Sequence, residues 1–342
     1  MLATNQSEIT AIGLGSAGIK IVSLLSKESL LVDRFVYVSC DSNDFDCVQS
    51  GDKILVEAPV AQKRSPAMVR GLAMNACGRL RGALTGSKAV FVVAGLGGAT
   101  GSGLASFVAS IANECGATTV GVAVMPFEYE KKMRFYAGVA LRQLRAAAHG
   151  VIVIDNDEMM RSTSGDSTLV GLYDAANREA VKSLGSLLSR PSDTSVPVGL
   201  NKLLVTVIQE GYALLAMSSS GSSDKAEDAL AGAVVSIGKV AEAAEASKAV
   251  VALRGDRSLS AAEVEVVVKQ LGSMLNSKDV DVEYCVDYSG SAQLQVSVLA
   301  SGFKSTKYDD YDPLTKALHG KVLDCEADSS LVTGLESLPS CE

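Results

Sequence analysis

Residues 88–104 read KAVFVVAGLGGATGSGL. Residues 89–94 are rich in Val and Phe without polar alternation, which predicts a strand buried on both faces. Gly95, Gly97, Gly98, Gly101 and Gly103 follow in quick succession. Ser102 and the apolar run from Leu104 to Ile111 then start a helix. Glycine lets the backbone approach a ligand closely. The free N–H groups and dipole of a helix N-terminus favour phosphate. Thr100 and Ser102 add hydroxyl donors. So many glycines cost stability unless a bare backbone is needed, so an anion site is predicted rather than a plain connecting loop.

A second glycine turn lies upstream. A strand over Glu8 to Leu14 runs into Gly13-Leu14-Gly15-Ser16-Ala17-Gly18, and a helix follows from Ile19. The next strand, Arg34 to Ser39, ends at Asp41. This spacing matches a dinucleotide fingerprint, with Asp41 placed to hold a ribose, and supports a nicotinamide oxidoreductase. The later glycine turn supports a different site, in which two turns on one sheet edge wrap a longer polyphosphate. No GxxxxGK followed by Ser or Thr occurs, so an ordinary P-loop is excluded.

At 342 residues the chain is long enough for two domains. Its net charge of −8, with no basic stripe, argues against gripping nucleic acid. The seven cysteines are scattered with no CxxC, which predicts reduced thiols in a cytoplasmic protein and no zinc site. The first ten residues lack the pattern of a signal peptide, and no apolar run approaches membrane-spanning length.

Strands alternate with helices up to Asp155, which predicts an α/β fold with a doubly wound, mostly parallel sheet. Pro66 to Leu84 is expected as one helix, Lys131 to Ala148 as another, and Thr168 to Ser189 as a long one. Leu200 to Met217 is expected as a further helix, Ser218 to Ser223 as a linker, and Asp224 to Ala246 as a helix. The strands Ala249 to Arg254, Val280 to Val286 and Gln293 to Ala300, with a helix over Ala261 to Leu275, predict a smaller α+β unit. The expected division is 1–167, 168–217, 218–302 and a polar, acidic, flexible tail over 303–342.

These residues carry a resemblance. Gly97-Gly98-Ala99-Thr100-Gly101-Ser102-Gly103 resembles the FtsZ/tubulin signature GGGTGSG, with alanine for one glycine. Pro126-Phe127-Glu128-Tyr129-Glu130 with Arg134 resembles the family's PFxFE…R element. Val153-Ile154-Asp155-Asn156-Asp157 resembles IVIPND, and Tyr173 to Asn177 resembles the start of its central helix. Gly211-Tyr212-Ala213 and Asp224 to Ala229 are similar to later motifs. The match runs in order over about residues 8–302 and is nearer FtsZ than eukaryotic tubulin. The resemblance implies a guanine nucleotide, GTP or GDP, with magnesium as a companion ion. It places Ser16, Ala17, Gly18, Ile19, Lys20, Asp41, Gly97, Gly98, Ala99, Thr100, Gly101 and Ser102 around the phosphates and their turns. It places Glu130 on the ribose, Arg134 near ribose or phosphate, Asn156 and Asn177 on the guanine edge, and Tyr173 against the base. Taken alone, Asn156 also suits a turn, Tyr173 a core position, and Glu130 with Arg134 a surface ion pair.

The resemblance further implies head-to-tail assembly with copies of itself, or with another FtsZ-like protein, and no membrane insertion. Hydrolysis in the family needs acids from the next subunit in a pattern like NxDxxD. Counting back from Gly211 without gaps, the asparagine falls on Pro197 and the acids on Gly199 and Lys202. Weak or absent hydrolysis is therefore expected, unless Asp193 supplies an acid. The loop expected to meet the last phosphate carries Lys63 and Arg64 instead of glycines. The acidic end, Leu335 to Glu342, differs from the family's apolar–basic tethering peptide. A scaffold that has lost its nucleotide is a further alternative.

Overall fold

The computed structural model describes residues 8–28, 30–57, 64–160, 168–221, 225–275, 280–288 and 293–314. Gln62 and Lys63 of the expected basic loop, and the expected tail from residue 315 onward, lie outside them.

The amino-terminal half alternates as its sequence predicts. The order is β1 (Glu8–Leu14), α1 (Gly15–Leu25), β2 (Arg34–Ser39), β3 (Asp52–Leu55), α2 (Pro66–Ala73), α3 (Cys77–Leu84), β4 (Ser87–Gly95), α4 (Ala99–Glu114), β5 (Thr118–Met125), α5 (Lys131–Ala147) and β6 (Gly150–Asp155). Pro66 sits at the first position of α2, where its missing N–H costs nothing, and Ser65 caps it by accepting from the Met68 amide. The single helix expected from Pro66 to Leu84 is broken by a 3₁₀ turn at Met74–Ala76.

The remaining elements are α6 (Asn156–Met159), α7 (Leu169–Leu187), β7 (Ser195–Val196), α8 (Leu200–Val207), β8 (Tyr212–Ser220), α9 (Lys225–Gly238), β9 (Lys248–Arg254), α10 (Ala261–Met274), β10 (Asp281–Asp287) and β11 (Leu294–Phe303). The helix expected over Leu200 to Met217 is corrected here. Gly211, at φ +102°, turns the chain against the Phe303 carbonyl, and the run after it is a strand. Ala, Leu and Met favour helix locally. Here pairing with β6 on one side and β11 on the other overrides that preference. Ser218 to Ser220, expected as linker, continue β8 opposite Val296 to Leu294. The Ala-rich helix ends at Gly238 rather than Ala246.

One sheet holds all the strands of the described residues, in the order β3-β2-β1-β4-β5-β6-β8-β11-β9-β10-β7. Pairing is parallel from β3 through β8. β11 runs antiparallel between β8 and β9. The β6–β8 seam consists of Ile152↔Ala213, Val153↔Leu214 and Ile154↔Leu215. Alternate residues of β4 feed opposite cores: Val90, Val92 and Ala94 on one face, Ala89, Phe91 and Val93 on the other. α4 covers the first face through Leu104, Val108 and Ile111, and α1 covers the second through Ile19, Val22 and Leu25. Strand order reverses between β1 and β4, so both glycine turns open at the crevice of a topological switch point.

Residues just past the expected end of the globular part are also packed. Phe303 and Tyr308 are buried, and a 3₁₀ turn over Lys307–Tyr311 lies on α5. A Cβ added at Gly138 of α5 would stand 2.5 Å from the backbone of Tyr311 and Asp312. In a helix interior alanine outdoes glycine by about 1 kcal/mol. A collision with backbone costs about 1–3 kcal/mol, so the clash should prevail. Gly138→Ala is expected to lower stability by about 1 kcal/mol, read as a reduced denaturation midpoint at unchanged m-value. An unchanged or raised midpoint would contradict this packing.

Candidate functional site

The two glycine turns work by proximity. Gly18 lies so close to β4 that an added Cβ would stand 2.3 Å from the Val93 carbonyl oxygen. The same test puts a Cβ at Gly101 2.1 Å from the Gly95 carbonyl oxygen. α1 and α4 therefore begin directly on the carboxyl ends of β1 and β4. Neither helix start has a side-chain cap or an acidic residue in its first turn. Their first N–H groups are left for another acceptor, the arrangement that favours an anion. By contrast, Thr168 caps α7 and a Ser260–Glu263 capping box closes α10.

A cleft of about 470 Å³ opens at these starts. Of the residues expected around a nucleotide, Ser16, Ala17, Lys20, Asp41, Gly97, Gly98, Ala99, Thr100, Gly101, Glu130, Asn156, Tyr173 and Asn177 line it. Four expected residues do not. Ile19 is fully buried in the core under α1, and Gly18 is packed on β4. Ser102 is buried and donates its hydroxyl to the Leu96 carbonyl, so it braces the turn from behind. Arg134 turns away to the Glu128 carbonyl and carboxylate and lies over the Tyr311 ring, 5.2 Å from its centroid.

The far end of the cleft is built by the loop after β5 and by α6 and α7. The Tyr173 hydroxyl donates to Glu130 Oε1 at 2.6 Å, and the Phe127 amide donates to Glu130 Oε2 at 2.8 Å. Phe127 meets Tyr173 edge-on, with centroids 5.3 Å apart. Burial, then the bond to Glu130, pushes the Tyr173 phenol well above its usual range, so it stays a donor. Asn156 and Asn177 are buried, 8% and 7% exposed, and their side-chain amides make no hydrogen bond among the described residues. Two buried amides without protein partners suit a ligand that offers both donors and acceptors.

Charges at the glycine-turn end are partly committed. Lys20 Nζ lies 3.3 Å from Asp174 Oδ1, tying α1 to α7. Asp41 accepts the Asn43 amide at 3.1 Å, and Asp44 accepts the Ser39 hydroxyl. Arg64, just before α2, lines the cleft and forms no hydrogen bond or ion pair among the described residues. Its charge bears on Cys40, whose thiol is nonetheless pushed up by burial. Asp44, Met133 and Val170 also line the cleft and were not singled out. Asp44 stands one turn beyond Asp41 and was within reach of a spacing argument; Met133 and Val170 carry no distinguishing signal.

The opposite end of α7 leads to the segment that carries Asp193, Gly199 and Lys202. Gly199 precedes α8 at φ +81° and ψ 144°. Lys202, in the first turn of α8, pairs with Glu283 of β10 at 2.7 Å. Asp193 is exposed.

Known proteins resemble this chain in sequence and in fold. Residues 8–164 match the Tubulin/FtsZ family, GTPase domain. Cell division protein FtsZ 1 of Halobacterium salinarum is 30% identical over 275 residues, 78% of this chain and 68% of that protein. The chain belongs to the tubulin/FtsZ family. Cell division protein FtsZ of Buchnera aphidicola subsp. Schizaphis graminum is 27% identical over 317 residues, 90% of this chain and 82% of that one. Among solved structures, an empty FtsZ dimer of M. jannaschii superposes with a TM-score of 0.75 at 23% identity, covering 88% of this chain and 90% of that one. The GTPγS-bound protofilament of CetZ2 from Haloferax volcanii gives 0.69 at 22% identity, covering 92% and 98%. These structures share the fold. The dinucleotide alternative rested on the first glycine turn and Asp41, whereas the family match, over residues 8–164, spans both glycine turns.

The two kinds of glycine can be separated. Gly101→Ala meets backbone that cannot yield, while a Cβ at Gly98 meets nothing within 4 Å. Thermal unfolding is expected to show Gly101→Ala destabilised by about 1–3 kcal/mol and Gly98→Ala within about 0.5 kcal/mol of the parent. Equal effects would mean that the turn is not packed as described.

Proposed function

We propose that this family member binds guanine nucleotide in the cleft, assembles head to tail with copies of itself, and turns the nucleotide over slowly. The observation that carries the reading is the joining of two uncapped, glycine-packed helix starts to a pair of unpartnered buried amides in one cleft. The residues present fit the ligand. Bare N–H groups and Thr100 would hold phosphates, Glu130 the ribose, Tyr173 the base face, and Asn156 with Asn177 the base edge. A magnesium ion beside the phosphates would find carboxylates at Asp41 and Asp44. When bound, the nucleotide supplies a terminal phosphoryl group. The chain's own contribution is binding, orientation and the subunit contact.

Slow turnover follows from the altered loop. A carboxylate that orients an attacking water contributes about 10²–10⁴ in rate as general base. At the positions where the family carries acids this chain offers Gly199 and Lys202. The Lys202 ammonium is held by Glu283, which moderates its use as a counter-charge for a neighbour's terminal phosphate. Bound nucleotide would then act chiefly as a ligand that stabilises the fold and the filament contact. The cellular role that fits is cytoskeletal, in division, shape or regulation of another FtsZ-like protein by copolymerisation.

Two measurements test this. A thermal-shift panel of GTP, GDP, ATP and NAD is expected to respond to the guanine nucleotides. A response to NAD alone would restore the oxidoreductase alternative, and silence throughout would favour a nucleotide-free scaffold. Phosphate release at assembling concentration, with filaments followed by electron microscopy, is expected to fall about 10²–10⁴-fold below an FtsZ with both loop acids. Comparable turnover that is lost in Asp193→Ala would show that this acid restores catalysis.

A further inference from the structure

Asp155 ends β6 and caps α6, whose first residue is Asn156. Its carboxylate is buried, 6% exposed, and its two oxygens face in different directions. Oδ1 accepts the amides of Asp157 at 2.8 Å and Glu158 at 3.2 Å, which orients the first turn of α6. Oδ2 accepts the Tyr308 hydroxyl at 2.6 Å and pairs with the Lys307 ammonium. Tyr308 and Lys307 come from the segment that follows β11, more than 150 residues later in the chain. That segment is itself anchored. The Lys304 amide donates to Glu245 at 2.9 Å, the Lys307 amide to the Val240 carbonyl at 2.8 Å, and Arg142 pairs with Asp312. From α6 the network continues, because Asp157 Oδ2 accepts the Glu128 amide at 2.8 Å and so holds the loop that carries Glu130.

We infer that Tyr308 and Lys307 are positioning residues for the base end of the cleft, acting through Asp155 on Asn156. The inference rests on the nucleotide reading above. A buried carboxylate is costly unless its oxygens are satisfied, so its orientation follows its donors. Removing the Tyr308 hydroxyl leaves Oδ2 one donor short, and the carboxylate must turn or draw water. Either change is passed to the α6 turn that Oδ1 holds. The similar family pattern IVIPND has proline where Asp155 stands, and proline has no side-chain acceptor. The link is therefore a property of this chain's own residues. It also ties the selectivity of the cleft to the segment from which the rest of the carboxyl-terminal chain departs. Because coupling is reciprocal, base recognition and the contact of Tyr308 and Lys307 with Asp155 must strengthen one another.

The test is equilibrium binding of GTP, ITP and ATP to the nucleotide-free full chain and to four variants. Asn156→Ala supplies the reference pattern of base selectivity. Tyr308→Phe, with Lys307→Met as a second variant should Tyr308→Phe fold poorly, is expected to weaken GTP about 3–10-fold, the range of one lost hydrogen bond. It should also shift the GTP:ITP:ATP ratios in the same direction as Asn156→Ala. Arg142→Met loosens the same segment without touching Asp155. It is expected to lower the Tm while leaving those ratios unchanged. Ratios in Tyr308→Phe and Lys307→Met equal to the parent's, or a shift of the same size in Arg142→Met, would overturn the inference while leaving nucleotide binding intact. A parent chain that binds none of the three would overturn the cleft reading itself, and this inference with it.

Discussion

Two backbone approaches govern this molecule: Gly18 against the Val93 carbonyl and Gly101 against the Gly95 carbonyl. No side chain larger than hydrogen fits at either point, so the first turns of both helices pack against the backbone of β4 near its carboxyl end. Their first amides are thereby fixed around a single crevice and left without caps. Such pre-positioned donors need no rearrangement when an anion arrives, which is the economical way to hold phosphate in a dipolar cradle. The neighbouring elements conform to this arrangement. Strand order reverses between β1 and β4, and Ser102, which could have been a donor to ligand, stabilises the second turn internally.

Charge in the crevice is arranged with equal restraint. Lys20 is shared with Asp174 across two helices, and Glu130 is occupied by Tyr173 and the Phe127 amide. Asp41 and Asp44 stand on the same lining, leaving Arg64 as a guanidinium without an ion-pair partner among the described residues. Half-exposed pairs such as Lys20–Asp174 contribute little to stability. This one links α1 to α7 beside the cleft. A polyanion entering here meets backbone dipoles and one uncommitted guanidinium rather than a basic pocket.

Much of this was legible in the sequence where the deciding residues are contiguous. The strand–glycine–helix units at residues 8–25 and 87–114 announce themselves because bare backbone and buried strand are local properties. Residues drawn from distant segments were harder. Arg134 sits in a recognisable element, yet its guanidinium turns to Glu128 over the Tyr311 ring, and that ring comes from a segment far along the chain. The run at Tyr212 looked helical because alanine, leucine and methionine prefer helix, and only its pairing to β6 and β11 makes it a strand. Tyr308 lies in a stretch that reads as polar tail, because its burial depends on Asp155, and Tyr311 and Asp312 after it fill the space left by Gly138. In each case long-range pairing overrode local composition.

Gly199 has a consequence for how freely this loop can change. At φ +81° and ψ 144° it occupies a region of backbone space that is essentially reserved for glycine. An aspartate placed at this position would therefore strain the backbone, and the turn before α8 would have to rewind to hold it. Backbone conformation, and not side-chain space, therefore decides which residues this turn into α8 accepts.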